Sequence, residues 1–376
     1  MNAYDDSSKW AVIAQSLSAR FAERASDHDA DGSFVAENYA ELKAQRAFGM
    51  AIPSELGGGG ASYSETCDFL RVLGQGCGST ALSLSMHTHL VAANVWKWNH
   101  DKPSEPLLRR VAADQVVLLS TGATDWINSN GQMEKVEGGY RLNGRKVFGS
   151  GGPAADLMLT SSRYEHPEQG PQVLHFPVSM KAEGVVIGSD WDTLGMRGTG
   201  SNTVTLKDVF VADEAIGLAR PSNQWHAAWG VALGVAPGLY MAPYMGIAEA
   251  AVDEALRIAK TRDNDTVAYL AIGEMMNQLT AAQLALRALI DGANEYDFAP
   301  TLDNANAQLV RKTLCSRAVQ ATVAGAIEVG GARTFYKAAL LERLRRDIQA
   351  STYHPLPDRK QQHFTGRVAV GESPIW

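Results

Sequence analysis

The stretch YRLNGRKVFGSGGPAADL, Tyr140–Leu157, decides the fold of this 376-residue chain. Tyr140–Leu142 reads as a short strand. The Asn143-Gly144 pair after it is a strong signal for a tight hairpin turn. A second extended run, Leu157–Ser161, opens where the stretch ends, and between the two lie Phe148 and Ser150 among glycines. Runs of the same kind surround it: Gln115–Leu119, Gln132–Val136, Val173–Val178, Gly184–Ile187 and Thr203–Val211. They are short, rich in Val, Leu, Thr and Phe, and separated by Gly, Asn, Asp and Pro. This spacing predicts an antiparallel barrel or sandwich of roughly seven strands rather than alternating β-α units.

Outward from this segment the period changes to that of helices. On the N-terminal side, Trp10–Asp27 and Phe34–Arg46 repeat apolar residues at three and four positions. Ser79–Trp96 is apolar nearly all round, which predicts burial on every side. Ile52–Glu65 holds four consecutive glycines, Gly57 to Gly60, but neither the strand-to-helix setting nor the Lys of a phosphate-binding loop. It reads as a flexible helix–helix connection. Helical patterning returns near Gln224 and holds to about Ala350, after which Pro355, Pro357 and Pro374 predict an irregular tail. The expected fold class is α+β and multidomain: an N-terminal helical domain (1–114), a middle antiparallel β-barrel or sandwich (115–220) and a C-terminal helical bundle with its tail (221–376).

At 45% hydrophobic residues the chain can bury a large core. A formal charge of -7 and no Lys/Arg-rich run exclude an extended nucleic-acid surface. Cys67, Cys77 and Cys315 fit no metal-ligand spacing and cannot all pair, so reduced thiols are expected. MNAYDDSSKW lacks the basic-then-apolar order of a signal peptide, and no uninterrupted apolar run reaches the ~20 residues that cross a bilayer. A cytoplasmic protein without a membrane partner is expected.

Three passages carry a family resemblance over nearly the full length. IPSELGGGGASYSE followed by STALSLSMHT (Ile52–Glu65 and Ser79–Thr88) is similar to the IPEEYGG…STAL passage of the acyl-CoA dehydrogenase superfamily. YRLNGRKVFGSG resembles its Y-x-L-N-G-x-K-x-W-I-T-N-G pattern, and LGMRGTGSNTVTLKDVFV (Leu194–Val211) its LGMRGS…F-x-D-V-x-V block. The resemblance implies FAD between two helical segments. Phe148 then takes the place of the aromatic packed on the flavin, and Ser150 that of the hydroxyl near N5. The loop STGATDW corresponds to T-E-P-x-x-G-S-D, so Thr121, Gly122, Ala123 and Thr124 offer N–H groups and hydroxyls, with Trp126 beside them. Arg197 is either a structural ion pair or a ligand contact. Arg262, Gly330 and Gly331 match positions that the family presents to the FAD of a neighbouring subunit, which implies a homodimer or homotetramer.

The chain departs from the family at the catalytic base. Removal of an α-proton from an acyl thioester needs a base, and family members use a Glu shortly after an Arg-Asp pair. Here RRDIQASTYHPLPD keeps Arg346-Asp347 and puts Tyr353-His354-Pro355 where the Glu falls. The second family location, near Ala236, is no carboxylate either. His354, with an unperturbed pKa near ~6.5, is the candidate base. Two readings follow. One is α,β-dehydrogenation of an acyl thioester, with an electron-transfer flavoprotein as a possible partner. The other is a monooxygenase of the same fold using reduced flavin or FMN from a flavin reductase. Such enzymes are implied by Phe148-x-Ser150-Gly151 with Ala155-Asp156 behind it, and by His354.

Overall fold

The computed structural model describes residues 8–121, 125, 128–263 and 265–375. The N-terminal helices are α1 (Lys9–Asp31), α2 (Ala36–Ala44), α3 (Tyr63–Gly76), α4 (Gly78–Asn99) and α5 (Glu105–Asp114). α1 starts where the Ser8 side chain accepts from Ala11 N–H and stops at Gly32, whose φ of 73° is a left-handed conformation that glycine adopts without strain. α3 opens on a capping box between Ser62 and Glu65. The strands are β1 (Leu118–Ser120), β2 (Gln132–Val136), β3 (Gly139–Lys146), β4 (Leu157–His166), β5 (Gly170–Ser179), β6 (Val185–Ile187), β7 (Val204–Ala212) and β8 (Leu218–Pro221). Then come α6 (Ala227–Ala259), α7 (Thr266–Ala293), α8 (Leu302–Gly330), α9 (Leu340–Ile348) and α10 (Asp358–Ala369).

The helix–strand–helix order predicted from sequence is the order found. The sheet differs from the expected barrel or sandwich. It is one open sheet in the order β6-β7-β3-β2-β4-β5-β8, and β1 pairs with β4 in parallel, as β2 does. β8 escaped the sequence reading because four residues ending in Pro221 show no alternation. Asn143-Gly144 is not the hairpin turn. That turn lies at Glu137-Gly138, where Gly138 has φ 72°. Asn143 instead sits at a bulge in the β3–β7 ladder, where its side-chain oxygen accepts from Asp208 N–H.

Three further expectations are corrected. The glycine run is ordered: Gly58, Gly59, Gly60 and Ala61 donate their N–H groups to the carbonyls of Pro53, Gly49, Ile52 and Met50. The tail carries α10, which packs Phe364 against Trp225 over a small apolar cluster with Leu309 and Leu356. α6 is long and apolar enough to cross a membrane, with a mean hydropathy of 1.4 over its best window, although Gly, Pro and Tyr break its apolar runs. That window is 94% buried within the protein, so its apolar surface is already committed to the core. α6 packs tightly on α3: a β-carbon at Gly74 would strike the Pro243 carbonyl, and one at Gly246 the Arg71 carbonyl. The three cysteines are free and buried.

Candidate active site

The turn after β3 sets out the first half of the site. Phe148 adopts a left-handed backbone (φ 57°) and leaves 56% of its side chain exposed, with its edge towards Trp191 at 6.0 Å between ring centres. The turn is held by Gly149 N–H donating to Asn202 O and Gly151 N–H to Thr199 O. Beside it runs a relay of hydroxyls: Ser150 Oγ to Ser201 Oγ at 2.7 Å, Ser201 Oγ to Thr199 Oγ1 at 2.7 Å, and Thr199 Oγ1 to Met196 O at 3.0 Å. A carbonyl only accepts, so the last bond fixes the direction of the others. Thr199 donates to Met196 O, Ser201 to Thr199, and Ser150 to Ser201. The free lone pairs of Ser150 are left as an acceptor.

Beneath the turn lies a buried ion pair that the sequence reading did not single out. Lys146 and Asp125 are 0% and 2% exposed with 3.4 Å between Nζ and Oδ1. Lys146 Nζ also donates to Asn130 O at 2.7 Å and Ser161 O at 2.6 Å. Burial raises the Asp125 pKa against the pull of Lys146, and burial lowers that of Lys146. Both shifts point towards neutralisation, so desolvation outweighs part of the mutual attraction. The pair ties β3 to Asp125 and, through Lys146 Nζ, to Asn130. Thr121 is buried, 3.4 Å from the Thr160 hydroxyl. Gly122, Ala123, Thr124 and Trp126 lie outside the described residues.

The second half comes from the C-terminal helices. Asp347, 4% exposed at the end of α9, accepts from Met196 N–H at 2.6 Å, so the LGMRG segment is joined to the Arg-Asp pair. Burial, offset partly by that bond, pushes the Asp347 carboxyl up to about 6. Its charge also acts on Tyr244 of α6. His354 lies half-buried against the same helix, stacked on Tyr240 (ring centres 4.8 Å, planes 15° apart), with Nε2 2.6 Å from the Tyr244 hydroxyl. Burial, with the Lys312 charge and His89 of α4 nearby, pushes the imidazole down to about 3. The residue expected to act as a base is therefore a neutral ring at pH 7 with little basicity. Tyr244, Lys312 and His89 were missed in the sequence. The one local sign was the Tyr240–Tyr244 spacing of i,i+4 on an otherwise apolar helix.

Other residues singled out in sequence are placed elsewhere. Arg197 donates from Nε to Asp29 O at 2.6 Å and from Nη1 to Asp192 and to Thr193 O, each at 3.0 Å, joining α1 to the 192–197 segment. Arg262, Gly330 and Gly331 do come together, at the C-terminal end of α8. Arg262 Nη2 donates to Val329 O, and Gly331 N–H to Ile327 and Glu328 carbonyls. Arg262 lies just beyond α6, whose last residue, Ala259, is about 22 Å along the helix from Tyr244 at 1.5 Å per residue. Glu249, the α6 carboxylate nearest Tyr244 in sequence, accepts from Arg71 and Gln75, each at 2.7 Å.

Comparisons with known proteins agree with this architecture. Profiles described as acyl-CoA dehydrogenase N-terminal, middle and C-terminal domain match residues 11–115, 122–209 and 239–358. A dibenzothiophene monooxygenase of Mycolicibacterium goodii is 26% identical, over 91% of this chain and 89% of its own length. A 3-(aryl)acrylate reductase of Clostridium sporogenes is also 26% identical, over 93% and 96%. Among solved structures, a KijD3 in complex with FMN and a dTDP-linked amino sugar superposes with a TM-score of 0.87 at 22% identity, covering 98% of this chain and 95% of that one. The three domain matches in order, and relatives spanning the whole length, place the chain in the acyl-CoA dehydrogenase family of flavin-dependent oxidoreductases.

Proposed function

We propose that the chain is a reduced-flavin-dependent monooxygenase of the acyl-CoA dehydrogenase fold. The observation that carries this is the replacement of the family's carboxylate base by His354, a weakly basic ring bonded to Tyr244. The carboxylates on neighbouring positions are engaged: Asp347 by Met196 N–H, Glu249 by Arg71 and Gln75. Thioester α-deprotonation therefore has no evident base among the described residues.

The first half of the site fits an isoalloxazine ring. A large aromatic side chain held out on a left-handed turn gives it a wall, and Ser150 beside it gives an acceptor. Bound reduced flavin supplies two electrons, with which dioxygen gives one oxygen atom to the substrate and one to water. Phe148 would pack on the ring, and Lys146 with Asp125 would hold the loop beneath it. His354 would hydrogen-bond the reacting oxygen rather than remove a proton. The KijD3 structure contains FMN.

Two arms test the reading. Flavin-loaded protein mixed anaerobically with a panel of acyl-CoA thioesters should show no bleaching near ~450 nm, where oxidised flavin absorbs. Protein given reduced FMN and labelled dioxygen should place one labelled atom in a product when offered candidate substrates such as dibenzothiophene. Bleaching by any thioester would overturn the proposal in favour of dehydrogenation.

Assembly is the second part of the proposal. α7 exposes Val267, Tyr269, Leu270 and Leu284 at 63–69%, and Phe335 after α8 is 91% exposed. Apolar surface of this kind is expected to be covered in a homodimer or homotetramer. A light-scattering mass of one chain would refute it.

A further inference from the structure

His354 is held by two separate elements, and the details of that hold specify what it can do. α6 supplies Tyr240, whose ring stacks on the imidazole and whose hydroxyl donates to Pro355 O at 3.0 Å. It also supplies Tyr244, 2.6 Å from Nε2. α8 supplies Lys312, fully buried, whose Nζ donates to His354 O at 2.9 Å and Leu356 O at 3.1 Å. Three consecutive carbonyls, 354 to 356, are thus fixed by buried donors, and neither ring nor backbone is free to turn. His89 of α4 is the remaining titratable neighbour.

The Tyr244 hydroxyl carries one proton, and His354 Nε2 is its only hydrogen-bond partner among the described residues. Burial, with the Asp347 charge nearby, raises its pKa well above the usual phenol value, so the proton stays. Were Nε2 protonated and donating, the buried O–H would have nothing to donate to. The O–H therefore donates to Nε2, and a neutral imidazole that accepts at Nε2 carries its own proton on Nδ1. Nδ1 has no partner among the described residues and is not among the buried, unpartnered polar atoms, so it keeps some accessible surface on the side of the ring away from Tyr244.

We propose that Tyr244 and Lys312 are positioning residues that hold His354 in a single tautomer, with an Nδ1–H aimed outward as a hydrogen-bond donor. The proposal deepens the monooxygenase reading and rests on it for the identity of the acceptor, a reacting oxygen atom. The positioning itself stands on the hydrogen bonds above. Lys312 acts twice: it fixes the backbone, and its charge disfavours a second charge on the imidazole. Tyr244 selects which nitrogen is protonated.

The test is long-range proton–nitrogen NMR of the full chain, labelled with nitrogen-15 histidine and free of flavin, with His354 identified by loss of its signals in His354→Gln. The wild type should show His354 in the Nδ1–H form and untitrated between pH 5.5 and 8. Tyr244→Phe should turn it into a mixture containing the Nε2–H form, and Lys312→Met should raise its pKa while leaving the tautomer in place. An Nε2–H signal in the wild type, or a tautomer unchanged in Tyr244→Phe, would overturn the role of Tyr244. An unchanged pKa in Lys312→Met would overturn that of Lys312. If a variant fails to fold, the wild-type tautomer and titration still decide. A protein that keeps the Nδ1–H form yet neither binds flavin nor consumes oxygen would sink the monooxygenase reading alone.

Discussion

Ser150 Oγ lies 2.7 Å from Ser201 Oγ, and through Ser201 its proton is directed to a chain that ends on the Met196 carbonyl. If Ser150 faces flavin N5 as proposed, a hydroxyl so committed would accept from the reduced N5–H rather than donate to the oxidised N5. Ser201→Ala should release the Ser150 proton and stabilise the oxidised flavin. A hydrogen bond of about 1 kcal/mol corresponds to a fall of about 20 mV in the two-electron midpoint potential. A dye-coupled redox titration checks the sign, and a rise would reverse the assigned direction of the relay.

Lys146→Met should destabilise the fold by about 3–5 kcal/mol, because it leaves the Asp125 carboxylate buried without its cation. The double variant Lys146→Met/Asp125→Leu should recover part of that loss, since the unpaired charge is gone. Urea unfolding of the two single variants and the double one measures the coupling. A double variant no better than either single would mean that the carbonyl bonds of Lys146, rather than its charge, are what matter.

The pH dependence follows from buried histidines. His87, held by Leu118 N–H at Nδ1 and Phe48 O at Nε2, has its pKa pushed down to about 4 by burial. Its folded pKa lies below the unfolded value, so between about 6.5 and 4 the unfolded chain binds more protons. Stability then falls as pH falls through that window, by about 1.4 kcal/mol per pH unit for this residue. Asp347 works in the opposite sense. Its folded pKa of about 6 lies above the unfolded value, so between about 4 and 6 the folded chain binds the extra proton and stability rises as pH falls. Urea midpoints at pH 7 and 5 should show net loss in acid, with a shallower slope in His87→Gln and a steeper one in Asp347→Asn.

Phe364→Ala should cost about 3 kcal/mol, as expected for a large buried aromatic (3% exposed). Its ring contacts Trp225 at 5.9 Å, so the loss should also shift tryptophan emission to the red. Emission unchanged from wild type would show that α10 does not cover that end of α6.

Much of this was legible in the chain itself. Helices showed through their three-and-four spacing, and the order helices, strands, helices through the change of period near Asp114. Phe148 and Ser150 stood out as candidates because their motif is local. The Asn143-Gly144 pair misled because both residues stay in the strand: the left-handed residue at the bulge is Asp208 on β7, which the pair itself does not reveal. His354 was visible, but its chemistry was not. Its basicity is set by burial and by Lys312, 42 positions away, and its hydrogen bond comes from Tyr244, 110 positions away. Lys146 and Asp125 each look like surface charges until the sheet buries both.

The bond from Met196 N–H to Asp347 spans 151 positions of chain and lies out of reach of water. It works as a rivet between the 196–201 segment, on which the Ser150 hydroxyl leans through Ser201, and the end of α9, which leads to His354. The placement of Met196 against Asp347 is therefore set during folding, not when a reactant arrives. The entropy of bringing those two segments together is already spent when the chain folds, so binding does not bear it.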